Sequence, residues 1–198
     1  TINDIATNCE LVKEIKEDKL QYVTLGIPTE YVAKIATADN PNVSNLDESY
    51  YKLEEGYYKF ITLNSAIEAC NAANSSTIEL IADDIWVYRN IVTDKNITIN
   101  FNSKTVYLFT PNIAIENSSS LSLINEYEGE TTQYGNIISG AGLLVKNNEN
   151  AKMNLENISM QYVSDAIDKS NYRKLIDNFG IMNIKNSKYD INSKLDFQ

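Results

Sequence analysis

The sequence predicts a mostly β protein built as a solenoid of stacked coils, and three observations lead there. A short phrase recurs in which two apolar residues flank another and are followed by a charged residue, Asn and a small polar residue: Ile113-Ala114-Ile115-Glu116-Asn117-Ser118, Leu143-Leu144-Val145-Lys146-Asn147-Asn148 and Met182-Asn183-Ile184-Lys185-Asn186-Ser187. A brief strand ending in a turn residue, repeated with little helix between copies, is what stacked coils require. From residue 77 onward, alternating pairs such as Ile78 with Leu80, Ile97 with Ile99, Leu121 with Leu123 and Met153 with Leu155 follow one another, broken by Asn, Ser or Asp. No Asn-Gly or Asp-Gly pair marks a tight hairpin, which weighs against an antiparallel sandwich.

The elements follow in order. Residues 1–45 differ in texture and read as an N-terminal appendage or linker. Ile5, Leu11, Val12 and Ile15 lie near helical spacing among Glu10, Lys13, Glu14, Lys16 and Glu17, which predicts a short amphipathic helix over residues 4–20. Residues 21–25 read as a strand stopped by Gly26 and Pro28, residues 31–36 as extended, and Asp39-Asn40-Pro41-Asn42 as a turn. The second unit, residues 46–198, opens with a strand at Tyr57-Tyr58-Lys59-Phe60. Thr62 then stands where an N-cap belongs, and Leu63, Ala66, Ile67, Cys70 and Ala73 share one helical face, predicting a helix near 62–74. An open solenoid end exposes apolar core and unpaired backbone, and this helix is placed to cover it; a helix packed on a flat sheet is the rival arrangement. The phrases are spaced 30 and then 39 residues apart, so some turns must bulge, with residues 126–134 and 168–177 the polar candidates.

Composition bounds the partners. A net charge of -10 and a pI near 4.5 repel phosphate backbones and anionic membrane surfaces, so neither nucleic acid nor a lipid surface is an expected partner. No apolar run has the length of a membrane span, and the first residues lack the pattern of a signal peptide. Because the chain also begins without Met, it is expected to be a piece of something larger. Asn and Ile make up about a quarter of the residues, a bias that fits AT-rich bacterial coding as well as any structural need. There is no His, which removes the side chain most used for acid–base work near neutral pH and the commonest metal ligand. Cys9 and Cys70 form no metal-binding spacing. A buried helical thiol at Cys70 with an incidental Cys9 is the simpler reading, and a disulfide between them the other.

Two stretches carry a resemblance. Phe60-Ile61-Thr62-Leu63-Asn64-Ser65-Ala66-Ile67-Glu68-Ala69, followed by Thr77-Ile78-Glu79-Leu80, is similar to a cap helix and first strand. Asn96-Ile97-Thr98-Ile99-Asn100-Phe101-Asn102-Ser103-Lys104-Thr105-Val106 looks like the next rung, with Ser103 where Gly is frequent. At these residues the chain resembles the right-handed parallel β-helix of the pectin-lyase-like superfamily, in particular the β-helical segments of large bacterial cell-surface proteins. The likeness spans residues 50–191. It implies a right-handed parallel β-helix with an N-terminal capping helix and a small N-terminal α/β appendage. It also implies an asparagine ladder at Asn117, Asn147 and Asn186, which physics supports because Asn tolerates left-handed turns and stacked amides bond to one another.

Catalytic and binding candidates are few. Lyases of this fold use acidic residues to hold calcium and a basic residue to take a proton, but the two Arg residues, Arg89 and Arg173, sit in no such motif. A hydrolase would need paired carboxylates; Asp83-Asp84 offers a pair, which turn positions explain more simply. Asp165 and Asp168 are candidate calcium ligands, although a polar loop accounts for them more simply, and no other cofactor is expected. Tyr127 and Tyr134, Trp86 and Tyr88, and Tyr50 and Tyr51 are candidate platforms for sugar rings, in a chain whose thirteen Tyr make some surface aromatics inevitable. The expected function is a non-catalytic module of a secreted or wall-attached bacterial surface protein, acting as stalk or adhesin toward a host or cell-wall glycan or protein. The alternative is a carbohydrate-active domain, and a third is a trimeric phage-tail or spike fragment.

Overall fold

A computed structural model describes residues 10–16, 19–26, 30–108, 110, 113–127, 133–139, 143–162 and 174–190. The protein is mostly β, with parallel strands dominating three sheets. From residue 76 the chain runs through the sheets in cyclic order. The first circuit is β6 (Ser76–Leu80), β7 (Asp84–Val87) and β8 (Ile91–Thr93). The second is β9 (Asn96–Asn100), β10 (Thr105–Leu108) and β11 (Ile113–Asn117). The third is β12 (Ser120–Ile124), β13 (Gly135–Ser139) and β14 (Leu143–Asn147). The fourth is β15 (Lys152–Glu156), β16 (Ile158–Tyr162) and β17 (Lys174–Asn178), and β18 (Ile181–Lys185) and β19 (Lys188–Asp190) begin another. Each strand pairs in parallel with the strand three places on, so first members form one sheet, second members another and third members the last.

Register follows from the alternation. Ile78, Ile99, Leu123, Leu155 and Ile184 are successive partners in the first sheet. Ile85, Val106, Ile137, Met160 and Tyr189 line up in the second, and Ile91, Ile115, Val145 and Ile176 in the third. A slip of one residue would turn a whole column outward, and burying each aliphatic side chain stabilises the fold by about 1.5–3 kcal/mol, so the columns fix the pairing.

The chain before residue 76 finishes the first end of the stack. β3 (Ala33–Ala36) pairs antiparallel with β6, and β5 (Tyr57–Phe60) and β4 (Tyr51–Glu54) add beyond it. The sheet therefore crosses residue 45 without a break. Tyr50 is buried, and Tyr51 packs its ring against Tyr58 and Phe60 with centroids 5.9 and 6.4 Å away, so both tyrosines serve packing. The helix α1 (Leu63–Ala69) contacts β3, β5 and β7 and buries Leu63, Ala66 and Ile67. Thr62 Oγ1 accepts from Ser65 N at 3.0 Å, the expected N-cap. Lys95 Nζ donates to the carbonyls of Ile67 and Glu68 at 3.3 and 2.7 Å, closing the other terminus.

Several expectations are corrected. Instead of an amphipathic helix over 4–20, the described residues form an antiparallel pair, β1 (Glu10–Lys16) with β2 (Lys19–Gly26). The charge spacing suited a helix, but cross-strand pairing of segments containing Val12, Ile15, Val23 and Thr24 outweighs a weak local preference. The appendage is therefore β in its described part. The helix expected to reach residue 74 stops at Ala69, because Cys70 is extended and the Asn71 side chain caps the following turn by accepting from Ala73 N at 2.9 Å. The bulge expected over 168–177 gives way at its end to β17, where Ile176 continues the Val145 column. The third copy of the recurring phrase lies in β18, in the first sheet, whereas the other two copies are β11 and β14 of the third sheet.

Gly180 makes the turn from β17 to β18. A Cβ there would overlap the carbonyl oxygen of Ala151 and lie 2.6 Å from that of Asn148. Gly180→Ala should cost about 1–3 kcal/mol by forcing the turn away from β15, and urea denaturation should show a lower midpoint with an unchanged slope.

Candidate functional site

Polar groups gather at the corner where the third sheet turns into the first. β11, β14 and β17 each end in Asn, and parallel pairing sets Asn117, Asn147 and Asn178 in one row. Asn117 Nδ2 donates to Asn147 Oδ1 at 2.8 Å, and Asn147 Nδ2 donates to Asn178 Oδ1 at 2.7 Å. The same donors reach the carbonyls of Lys152 at 2.9 Å and Ile181 at 3.2 Å, tying each corner to the strand that follows it. Asn117 and Asn147 are fully buried, so these bonds replace water that the amides cannot reach. The backbone repeats the motif: Ser118 N donates to Thr93 O, Asn148 N to Asn117 O and Phe179 N to Asn147 O, at 2.8–2.9 Å.

Asn186 stands apart from this row. It follows β18 at another corner, is exposed and adopts φ 49°. Its neighbours there are Asn157, whose Nδ2 donates to Asn125 O at 3.0 Å, and Asn125 itself. The signal for Asn178 was present in the chain: Leu175-Ile176-Asp177-Asn178 repeats the apolar, apolar, charged, Asn order of Ala114-Ile115-Glu116-Asn117. Asn178 lies 31 residues past Asn147, matching the 30 before it, whereas Asn186 breaks that interval.

Charges pair between circuits beside the row. Lys146 Nζ lies 2.8 Å from Glu116 Oε1, and Asn148 Nδ2 donates to the same oxygen at 3.0 Å. The Lys146 bond and then the Asn148 bond hold the Glu116 carboxyl below the usual carboxylate range. Lys34 pairs with Glu79 at 2.8 Å, and Lys185 pairs with Glu156.

The second sheet carries a stacked aromatic pair. Trp86 of β7 and Tyr107 of β10 are register partners, and their rings stack with centroids 4.5 Å apart and planes within 9°. Both are half-buried. Partial burial first, then the Asp84 carboxylate that accepts the Tyr107 hydroxyl, raise the Tyr107 pKa. Trp86 thus finds its stacking partner in Tyr107, a residue the sequence did not single out, while Tyr88 follows β7 and is half-buried. Tyr127 follows β12; Tyr134 precedes β13 and holds Lys188 Nζ 4.1 Å above its ring centroid, a cation–π contact.

The acidic candidates are otherwise occupied or undescribed. Asp83 pairs with Lys104 Nζ, and Asp84 takes the Tyr107 hydroxyl, so the two carboxylates serve different partners. Asp165, Asp168 and Arg173 lie outside the described residues. Among the described residues no three of His, Cys, Asp and Glu stand close enough to share a metal ion. Cys70 is a free, buried thiol whose burial pushes its pKa up to about 11, which keeps it protonated and poorly nucleophilic. Cys9 lies outside the described residues.

No family model, curated protein or solved structure matches this chain.

The buried row predicts a contrast between two substitutions. Asn147→Leu removes the acceptor for Asn117 and the donor for Asn178, and should cost about 2–4 kcal/mol, lowering the melting temperature by about 5–10 °C. Asn186→Gly, which keeps the left-handed turn without the amide, should change stability by less than about 0.5 kcal/mol. Equal losses in thermal denaturation would contradict the assignment of Asn178 to the row.

Proposed function

We propose that the chain is a non-catalytic module of the right-handed parallel β-helix type, akin to the pectin-lyase-like fold, serving a secreted or wall-attached bacterial surface protein as a stalk or adhesive rod. The cyclic passage through three parallel sheets supports the fold assignment. Parallel crossovers are right-handed in about 98% of cases, which supports the hand. The single observation that carries the function is the unbroken register from β6 to β18, fastened at the corner by buried asparagines. Such a stack resists bending because each circuit is bonded to the next along its whole perimeter. Fold alone does not confer function, so the reading depends on what the surface offers.

One observation favours the second reading, a carbohydrate-binding domain. The partly exposed Trp86 and Tyr107 rings stand beside Asp84, Thr105 and Asn136, the partners next along the strands, which is the mixture of aromatic and polar groups that sugar rings use.

Incubation with acidic polysaccharides in the presence of calcium tests the main proposal. The non-catalytic reading expects no release of unsaturated or reducing ends, and reproducible release would overturn it. On a glycan array, with and without calcium, a blank result fits the stalk or protein-adhesive role. Binding to one glycan class that falls at least about tenfold in Trp86→Ala would move the assignment to carbohydrate recognition.

A further inference from the structure

Asn is followed by Ser six times in the sequence, and the fold treats these steps unequally. Such a step carries its own reaction: the backbone nitrogen of the Ser attacks the side-chain amide carbon of the Asn wherever that nitrogen is unbonded and the chain can bend. A small successor in an open turn leaves room for the approach, whereas a hydrogen-bond ladder holds the two atoms apart. At Asn64-Ser65, inside α1, Ser65 N is held by Thr62 Oγ1 at 3.0 Å. At Asn102-Ser103 the Asn side chain donates to Leu80 O at 3.0 Å, and Ser103 N donates to Asn125 Oδ1. At Asn117-Ser118 the amide is buried in the row, and Ser118 N donates to Thr93 O at 2.8 Å. At Asn186-Ser187 the turn is pinned, since Ser187 Oγ accepts from Ile158 N at 3.2 Å and donates to Lys185 O at 3.0 Å. Asn192-Ser193 lies outside the described residues.

Asn74-Ser75 has none of these restraints. It lies in the loop of residues 70–75 that joins α1 to β6, and both residues are exposed. The bonds that fix the chain stop short on either side: Asn71 Oδ1 accepts from Ala73 N at 2.9 Å, and Thr77 N donates to Asp39 Oδ2 at 2.8 Å. Among the described residues neither the Asn74 side chain nor Ser75 N has a hydrogen-bond partner. We propose that Asn74 is a site of spontaneous covalent modification, deamidating through a succinimide closed by Ser75 N. The Ser75 amide gives its proton to hydroxide or water, and its nitrogen bonds to Asn74 Cγ. The Cγ–Nδ2 bond then breaks, and the leaving nitrogen takes a proton from water and departs as ammonia. Water opens the succinimide at either carbonyl, which yields aspartate or, with the backbone routed through Cγ, isoaspartate. The sum is amide plus water giving carboxylate plus ammonium, with no oxidant and no enzyme. Conversion adds one negative charge to a chain of net charge -10. The isoaspartate form also lengthens the backbone between the capping helix and the first circuit. Residue 74 precedes the ladder bonds of β6, so the circuits stay paired. This chemistry needs neither the stalk role nor the glycan role.

Ageing the purified full chain in warm, mildly alkaline buffer, followed by peptide mass mapping and enzymatic methylation of isoaspartate, tests the site. Asn74 is expected to convert first, at least about tenfold faster than Asn102 and Asn117, whose reaction waits on opening of the stack. In denaturant the difference should narrow to less than about threefold, because the shared Asn-Ser sequence then sets the rate. Ser75→Pro removes the attacking N–H and should stop isoaspartate formation at residue 74. Ser75→Gly should speed it about tenfold by easing the approach, so the mechanism is tested even where the Pro variant folds poorly. Conversion of Asn102, Asn117 or Asn186 as fast as Asn74 in the folded chain overturns the proposal. So does isoaspartate at residue 74 that forms at an unchanged rate in Ser75→Gly.

Discussion

Parallel strand pairing at an interval of about twenty to thirty residues is the constraint on which the rest of the structure depends. Parallel strands cannot be joined by a tight turn, so the chain must travel around two other faces before it returns to pair with itself. Each return brings backbone polar groups to a corner, and those that turn inward must be satisfied without water. The Asn117 and Asn147 amides do this, Asn117 by donating to Asn147 and the Lys152 carbonyl, and Asn147 by donating to Asn178 and the Ile181 carbonyl. The row is thereby a spacer that holds successive circuits in register, and the aliphatic columns close around it.

The same constraint shapes the surface. A register that sets like positions above one another makes ladders of whatever side chain faces outward. Glu116 meets Lys146, and Glu156 meets Lys185, because alternating sign is the stable choice at that separation. Register likewise sets Trp86 against Tyr107, and their rings stack.

That explains what the sequence made legible. The strong alternations, Ile78 with Leu80 through Met182 with Ile184, became strands, most of them in the first sheet, with Ile113 and Ile115 in β11 and Ile158 and Met160 in β16, and the N-cap at Thr62 was readable because capping is local. The short strands β7, β8 and β10 were not singled out, since three or four residues carry too little period to be seen. The Trp86–Tyr107 stack was lost with them, because it exists only once two such strands pair. Asn178 was passed over in favour of Asn186, whose phrase looked more like its predecessors although its interval did not fit. The charged segment before residue 20 shows the converse error, in which local helical spacing yielded to a pairing that the sequence does not display.

The most direct test of the register is hydrogen exchange at the asparagine side-chain amides, followed by nuclear magnetic resonance. The Nδ2 protons of Asn117 and Asn147, enclosed between circuits, should exchange far more slowly than those of exposed Asn186, as only opening of the stack would release them. Exchange at Asn147 as fast as at Asn186 would contradict the buried row and with it the stacking that the account describes.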